Sequence, residues 1–129
     1  MFSKALIFFA CLTVGTPPTI ASQIPVGIDP VIVSPDRFTV LLENEHVRIV
    51  EYVLLPGQRD QWHTHPAKVS YVVTGGTLRI TLEDGTSFSA DERAGTVSWA
   101  EPLGRHFVEN VGESPVRILL IEIKAAAAR

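Results

Sequence analysis

The sequence predicts an all-β domain, built as an antiparallel sandwich or barrel. Short apolar runs separated by turn residues recur from residue 37 onward. Residues 77–82 (TLRITL) alternate polar and apolar side chains, and this period of two is typical of a half-buried strand. No stretch has a convincing helical period. Many short strands at regular spacing favour a sandwich or barrel over a parallel sheet covered by helices.

The first 21 residues have the layout of a secretory signal peptide. One lysine precedes an apolar run at residues 5–14, and a threonine and two prolines end that run. The run is too short to span a bilayer as a helix, and the alternatives are an N-terminal core helix or a membrane anchor. Cleavage of residues 1–21 would leave a secreted or periplasmic chain that meets the membrane only through its signal. The single cysteine, Cys11, would leave with the signal, so the mature chain would have no disulfide.

An arm, a strand-rich domain and a short tail follow the predicted signal. Residues 22–36 carry three prolines and a glycine, which predicts an extended arm with one short edge strand. Such an arm can exchange between two protomers and would then support a homodimer. Residues 125–129 form the tail. Residues 37–124 contain seven apolar runs that we interpret as strands: RFTVLL, VRIVEYVLL, KVSYVV, TLRITL, TVSWA, HFVENV and VRILLIEI.

Composition limits the class of ligand. The chain of 129 residues fits one domain, and its formal net charge of −3 comes without a basic cluster. Nucleic acid is therefore not an expected partner. The glycine pairs lack the spacing of a phosphate-binding loop, and no serine–histidine–aspartate arrangement stands out. The remaining candidate is a small-molecule ligand bound near the histidines.

Two histidines stand two residues apart in the stretch WHTHP. On a strand, residues i and i+2 point to the same face, so His63 and His65 aim their imidazoles together. Two imidazoles placed in this way can converge on one ion, at about 2.0–2.1 Å if the ion is zinc. A solvated strand face would give the same pair by chance. A metal site needs a third ligand from another strand.

The residues around this pair resemble the first motif of the cupin family. Gly57, His63, His65 and Gly76 have the spacing of that motif. The family normally has glutamate at the position that Val69 occupies here. The resemblance therefore includes the histidines and the glycines of the motif but not its acidic residue.

A second cupin-like motif follows at a suitable distance. Gly95, His106 and Asn110 have the family spacing, while the proline and glycine of residues 102–104 come one residue late. Together the two motifs imply a double-stranded β-helix, a jelly-roll barrel with a site in its mouth. They also imply that His63, His65 and His106 are the three histidine ligands of a metal. They do not imply one reaction, because cupins include dioxygenases, isomerases, lyases, storage proteins and sensing domains.

The missing glutamate changes the expected metal. A shift of one residue from Val69 gives Lys68 or Ser70, and none of the three is a carboxylate. Three neutral imidazoles leave the charge of a divalent ion uncompensated, so we expect weak retention of manganese. Zinc, copper, iron and nickel suit imidazole better, and a chain exported unfolded would meet mainly zinc or copper. On this alignment, Val69→Glu should strengthen metal retention.

Further residues are candidates for the pocket. Tyr71 has the parity of Val69, so it is predicted to face the barrel interior, where its phenol could donate to a bound substrate. Trp99 is predicted to line the pocket mouth. For both aromatics the alternative is an ordinary core position. Three acidic residues, Glu51, Glu101 and Glu109, are candidates for a substitute ligand, with exposed positions as the alternative.

Two classes of function follow from these residues. In one, the metal centre acts on or binds a small anionic molecule in a dioxygenase, isomerase or lyase type of reaction, because an open coordination position and surplus positive charge favour an anionic ligand. In the other, the protein is a non-catalytic small-ligand-binding or structural domain with a degenerate metal site. A water-accessible cavity beside the histidines would favour the first class.

Overall fold

The computed structural model describes residues 27–125. The predicted signal, the first part of the arm and residues 126–129 lie outside this range. Residues 27–125 form one helical turn and eight strands: α1 (Pro30–Val33), β1 (Phe38–Glu43), β2 (Val47–Leu54), β3 (Lys68–Thr74), β4 (Gly76–Leu82), β5 (Ser87–Glu92), β6 (Val97–Ala100), β7 (His106–Asn110) and β8 (Val116–Ile123). Within that range, no helix has the length and apolar character needed to cross a membrane.

The strands form two antiparallel sheets that enclose the core. One sheet has five strands in the order β1-β2-β8-β3-β6, and the other has three in the order β5-β4-β7. The chain passes back and forth between the sheets, which places β8 between β2 and β3 and places β7 beside β4. This is the double-stranded β-helix, or jelly roll, that the sequence predicts.

Alternation along the strands decides which side chains face the interior. On β8, Val116, Ile118 and Leu120 are buried, and the next residue of the same parity is Glu122, which is buried as well. A buried aliphatic side chain contributes about 1.5–3 kcal/mol relative to an exposed one. The interior is therefore held by apolar packing along most of β8, and it becomes polar where the strand ends.

Each of the seven predicted strands is present, and the structure adds one that the sequence analysis missed. This strand, β5, has the sequence SFSADE and lies at the edge of the three-stranded sheet, paired only with β4. Most of its residues are exposed. An exposed edge strand needs no apolar face, so it leaves no alternating pattern to find.

The described part of the arm differs from the prediction. Residues 30–33 form a helical turn instead of an edge strand, because Asp29 accepts a hydrogen bond from the Val31 N–H (3.0 Å) and Pro30 stands at the first helical position. This segment packs against its own barrel. The Thr64 N–H donates to the Ile28 carbonyl at 2.9 Å, which fixes the backbone between the two histidines of the first motif.

Candidate metal centre

Three histidines meet inside the barrel. His63 and His65 lie in the segment between β2 and β3, and His106 is the first residue of β7. All three are buried, and one ring nitrogen from each lies within 4.8 Å of the others. Two nitrogens bound to one zinc ion are at most about 4.2 Å apart, so small side-chain rotations bring this set around one ion.

Backbone pairing brings the first motif to the second. The His63 N–H donates to the His106 carbonyl at 2.9 Å, and the His106 N–H donates to the His63 carbonyl at 3.1 Å. On the side away from His65, the Asp60 N–H donates to the Val108 carbonyl at 3.1 Å. The segment before His65 therefore runs antiparallel to β7. This pairing holds the third histidine against the first two.

The Nδ1 atom of each histidine is engaged by an oxygen acceptor. A carbonyl or an ionised carboxylate can only accept, so each Nδ1 carries the proton and each Nε2 keeps its lone pair for a ligand. Outer acceptors of this kind orient metal-binding imidazoles and increase their basicity. The three pairs are His63 with the Gln61 carbonyl (2.7 Å), His106 with the Gly104 carbonyl (2.8 Å) and His65 with Glu122 Oε1 (2.9 Å).

Burial keeps these imidazoles neutral. It lowers the pKa of His65 and of His106 to about 4, and it lowers the pKa of His63 below its ordinary value. The positive charge of Lys68 acts in the same direction on all three. A histidine must be neutral to bind a metal, so near neutral pH the cluster has the protonation state that a metal site requires.

A buried carboxylate chain supports His65. Glu122 accepts hydrogen bonds from His65 and from Arg48 Nε (2.6 Å), and Arg48 Nη1 lies 2.7 Å from Asp29. Burial alone would raise the pKa of Glu122, but the hydrogen bonds from His65 and Arg48 outweigh burial and hold that pKa below its usual value. Glu122 is therefore an ionised acceptor for the imidazole. The sequence analysis missed it, although its parity on β8 places it in the interior series.

A second buried carboxylate, Asp60, lies beside His63. Its oxygens accept from the Tyr52 hydroxyl (2.7 Å) and from the Val108 N–H (2.8 Å), and Oδ1 is 3.6 Å from His63 Nδ1. Burial raises the pKa of Asp60 to about 6, against the lowering effect of these hydrogen bonds. Among the described residues, the converging set of possible ligands contains the three histidines and not Asp60, so this carboxylate supports His63 and does not replace the missing glutamate.

These pKa values predict that the metal-free protein loses stability as the pH falls from about 6.5 to 4. In this window the unfolded chain protonates His65 and His106, whose unfolded pKa is about 6.5, while the folded protein does not. Asp60 has the opposite effect on stability below pH 6. Its pKa is about 6 in the folded protein, so the folded protein binds this proton at a higher pH than the unfolded chain does. For these three groups, two protons against one give a loss of about 1.4 kcal/mol per pH unit between pH 6 and 4. The lowered pKa of His63 adds to that loss, and the raised pKa of Glu92 offsets part of it.

Urea unfolding followed by tryptophan fluorescence, at several pH values and with a chelator present, measures this slope. A free energy of unfolding that stays level or increases between pH 6 and 4 would contradict the assignment of neutral, buried imidazoles.

The histidines open onto a cavity of about 200 Å³ between the two sheets. Its apolar wall includes Leu78, Ile80 and Leu103. Its polar lining consists of Asp60, His63, His65, Lys68, Ser70, Glu92, Ser98 and His106. The site therefore combines the three imidazoles with a lysine and a carboxylate that can face a bound molecule.

The cupin alignment puts Val69 at the position of the acidic ligand, but other residues of β3 face the cavity. Lys68 and Ser70 line the cavity, whereas Val69 does not. The reason is the register with β8, in which Lys68 is the Cα partner of the buried Glu122. Partners in register share a face of the sheet, so Val69 points outward.

The same register places Tyr71 and Trp99 on the outer face of the five-stranded sheet. The side chain of Tyr71 is 41% exposed and that of Trp99 is 54% exposed, and neither lines the cavity. The Trp99 indole N–H donates to Glu101 at 2.8 Å. The expectations that Tyr71 faces the interior and that Trp99 lines the pocket mouth are therefore wrong.

The three candidate carboxylates are also engaged elsewhere. Glu51 pairs with Arg117, Glu101 accepts from Trp99, and Glu109 lies 3.8 Å from Arg79. All three belong to the described part of the chain, and none of them lines the cavity. The acidic residues that matter to the site are instead Asp60, Glu92 and Glu122.

The fold is similar to that of solved cupin structures. A cupin domain from Bordetella pertussis Tohama I is 29% identical with a TM-score of 0.63, over 68% of this chain and 92% of that one. A cupin family protein with a double-stranded β-helix fold from Methanocaldococcus jannaschii is 18% identical with a TM-score of 0.55, over 67% of this chain and 77% of that one. At 18% identity the likeness is one of fold alone.

A third structure is an uncharacterized conserved protein with a double-stranded β-helix domain from Klebsiella pneumoniae, which is 23% identical with a TM-score of 0.54, over 73% of this chain and 84% of that one. No family model matches the sequence, and no curated protein matches it. The fold, the likeness to solved cupin domains and the clustered histidines nevertheless agree with the two sequence motifs. The chain is a small member of the cupin superfamily.

Proposed function

We propose that this protein binds one divalent metal ion through Nε2 of His63, His65 and His106, and that the ion holds a small anionic molecule in the adjoining cavity. The observation that carries the proposal is the shared orientation of the three imidazoles. Each Nδ1 donates to an oxygen, which leaves three Nε2 lone pairs in one buried cluster. Any buried imidazole needs an acceptor for its N–H, but three remaining nitrogens that converge on one point are the arrangement that a metal ion requires.

The donor set favours some metals over others. Three neutral imidazoles suit zinc, copper, iron or nickel, whereas manganese prefers oxygen ligands that this cluster does not offer. The set also contributes no negative charge, so a divalent ion keeps both of its positive charges. An anionic ligand from solution is then the natural fourth donor, and the cavity beside the histidines provides room for it.

When bound, the ion supplies a Lewis acid and a template for the ligand. The chain supplies the surroundings. Glu122 holds the ring of His65, and Asp60 lies next to His63 behind the cluster. The apolar side chains of the cavity wall would pack against the bound molecule. The same arrangement serves an enzyme of the dioxygenase, isomerase or lyase type and a binding protein without turnover.

Single alanine substitutions test the metal site. Replacing His63, His65 or His106 is expected to lower the affinity for Zn²⁺ or Co²⁺ by roughly 100-fold or more, since each removal leaves only two protein ligands. Isothermal titration on metal-free protein measures the affinity, and mass spectrometry of the metal content measures the occupancy.

His46→Ala is the matched control. This histidine is the fourth in the chain, and its side chain is 78% exposed beside Glu45. Its removal should leave one ion bound per chain. Equal metal content in His46→Ala and in any of the three cluster variants would refute the proposed site.

A further inference from the structure

Lys68 is the cation among the charged residues that line the cavity. It lies at the start of β3 with its side chain turned inward, opposite Glu122 of β8 and Ala100 of β6. The other charged side chains of the lining are Asp60 and Glu92. Asp60 is engaged by Tyr52 and by the backbone of Val108. Lys68 and Glu92 are therefore the charged groups that a ligand would meet.

The Lys68 ammonium forms no ion pair and no hydrogen bond with any group of residues 27–125. Its partner in the β3–β8 register, Glu122, already accepts from Arg48 and His65. A half-buried lysine without a protein partner loses part of its hydration and gains no hydrogen bond from the protein in return. Such a cation at the wall of a cavity suits an anion that arrives from solution.

The charge of Lys68 also acts on the histidine cluster. It lowers the pKa of His63, of His65 and of His106, so the ammonium and the imidazoles share one electrostatic environment. Burial lowers the pKa of Lys68 itself, and the charges of Glu122 and Glu92 oppose that shift. A ligand bound at the imidazoles would therefore come within range of the ammonium.

We propose that Lys68 binds the carboxylate of a small molecule that also coordinates the metal, so that the site selects short carboxylates with a second oxygen donor. This inference rests on the proposed metal site. The volume of about 200 Å³ lies below the usual range of ligand pockets, which limits the molecule to a few heavy atoms. The apolar wall formed by Leu78, Ile80 and Leu103 accommodates a short hydrocarbon group beside the carboxylate.

Metal and carboxylate should bind cooperatively. A divalent ion next to an ammonium is repelled, and three neutral imidazoles do not offset that repulsion. A carboxylate attracts both cations, so its binding makes the metal bind more tightly. By linkage, the metal must raise the affinity for the carboxylate by the same factor. With a glutamate ligand in place, the protein itself would supply this negative charge.

The test uses Co²⁺ with pyruvate, and with pyruvamide as the uncharged analogue of nearly the same shape. In Co²⁺-loaded wild type, pyruvate is expected to bind more tightly than pyruvamide. Lys68→Met should weaken pyruvate binding by roughly 10- to 100-fold, the loss expected for a charge-assisted hydrogen bond, and should leave pyruvamide nearly unchanged. Titration calorimetry and the visible absorption bands of Co²⁺ report both events.

Lys124→Met is the matched control, because Lys124 pairs with Glu43 outside the cavity. Glu92→Gln should have an effect opposite to that of Lys68→Met. It removes a negative charge from the cavity lining, so pyruvate should bind more tightly. Lys68→Met should also bind Co²⁺ at least as tightly as the wild type in the absence of pyruvate. A merely structural role would weaken both ligands together.

The two proposals fail in distinguishable ways. If the wild type does not bind Co²⁺ through its histidines, the metal site is wrong and the role of Lys68 falls with it. If Co²⁺ binds but Lys68→Met and wild type bind pyruvate equally well, only the role of Lys68 is overturned. An equal loss of pyruvate and pyruvamide in Lys68→Met would overturn it as well.

Discussion

Lys68→Glu is expected to raise the affinity of the protein for a divalent ion by about 100-fold or more, whereas Val69→Glu should leave that affinity unchanged. Position 68 faces the cavity of the histidines, and position 69 faces outward. The first substitution replaces a repelling ammonium by an attracting carboxylate. Coulomb's law at an effective dielectric constant of about 20 gives several kcal/mol for that reversal at a few ångströms, so about 100-fold is a cautious figure.

The gain should be largest for manganese, because a carboxylate adds the oxygen ligand that this ion prefers. Competition with a chelating dye, on metal-free protein, measures each affinity. The metal-free Lys68→Glu variant should be less stable than the wild type, because Glu122 and Glu92 then share the site with a third carboxylate. Adding metal should restore its stability, which separates a filled site from a misfolded one.

Val69→Glu makes this experiment decisive. The two variants carry the same new side chain on opposite faces of β3, and Lys68→Glu also removes an ammonium, whose share of the gain Lys68→Met measures. A gain in affinity of similar size in Val69→Glu would show that β3 pairs with β8 in a different register, with position 69 facing the cavity. If Lys68→Glu does not increase the affinity for the ion, the metal binds elsewhere.

Asn110→Ala is expected to lower the free energy of unfolding by about 3–4 kcal/mol. The side chain is buried and connects three segments: Nδ2 donates to the carbonyls of Leu54 (2.8 Å) and Ser114 (2.9 Å), and Oδ1 accepts from the Gly112 N–H (3.0 Å). Each buried group left without a partner costs about 1–3 kcal/mol. Since a domain of this size is stable by only about 5–15 kcal/mol, the loss is large.

Asn44→Ala provides the matched comparison. Asn44 accepts two hydrogen bonds, from the N–H groups of His46 (2.8 Å) and Val47 (2.9 Å), but it lies in an exposed turn. Water replaces it there, so a cost of about 1 kcal/mol or less is expected. Urea unfolding of both variants gives the difference. If Asn110→Ala costs no more than Asn44→Ala, the asparagine does not hold the segments together.

The fold was predictable because it depends on patterns that persist locally. Each apolar run ends at a glycine, a proline or a polar turn, and each such run became a strand. The exceptions have local causes. Strand β5 is an exposed edge without an apolar face, and the turn at Pro30–Val33 is too short to have a period. Neither exception alters the path of the barrel.

The site was only partly predictable, because its polar lining depends on pairing between distant strands. The motif spacing singled out His63, His65 and His106, and the structure brings these three side chains into one cluster. The sequence does not show in the same way which face of β3 points into the barrel. Its apolar residues occupy both faces, with Val69 on one and Val72 on the other, so alternation alone does not choose between Lys68 and Val69. The register with Glu122 makes that choice.

The central position of β8 also bears on the order in which the protein assembles. β8 is the last of the strands within residues 27–125, yet it pairs with both β2 and β3. Until it arrives, each of those strands presents a free edge, and His65 lacks its Glu122 acceptor. A partly synthesised chain therefore carries the histidines without their final orientation. The metal should therefore bind only after folding is complete, so a bound ion would indicate a fully folded protein.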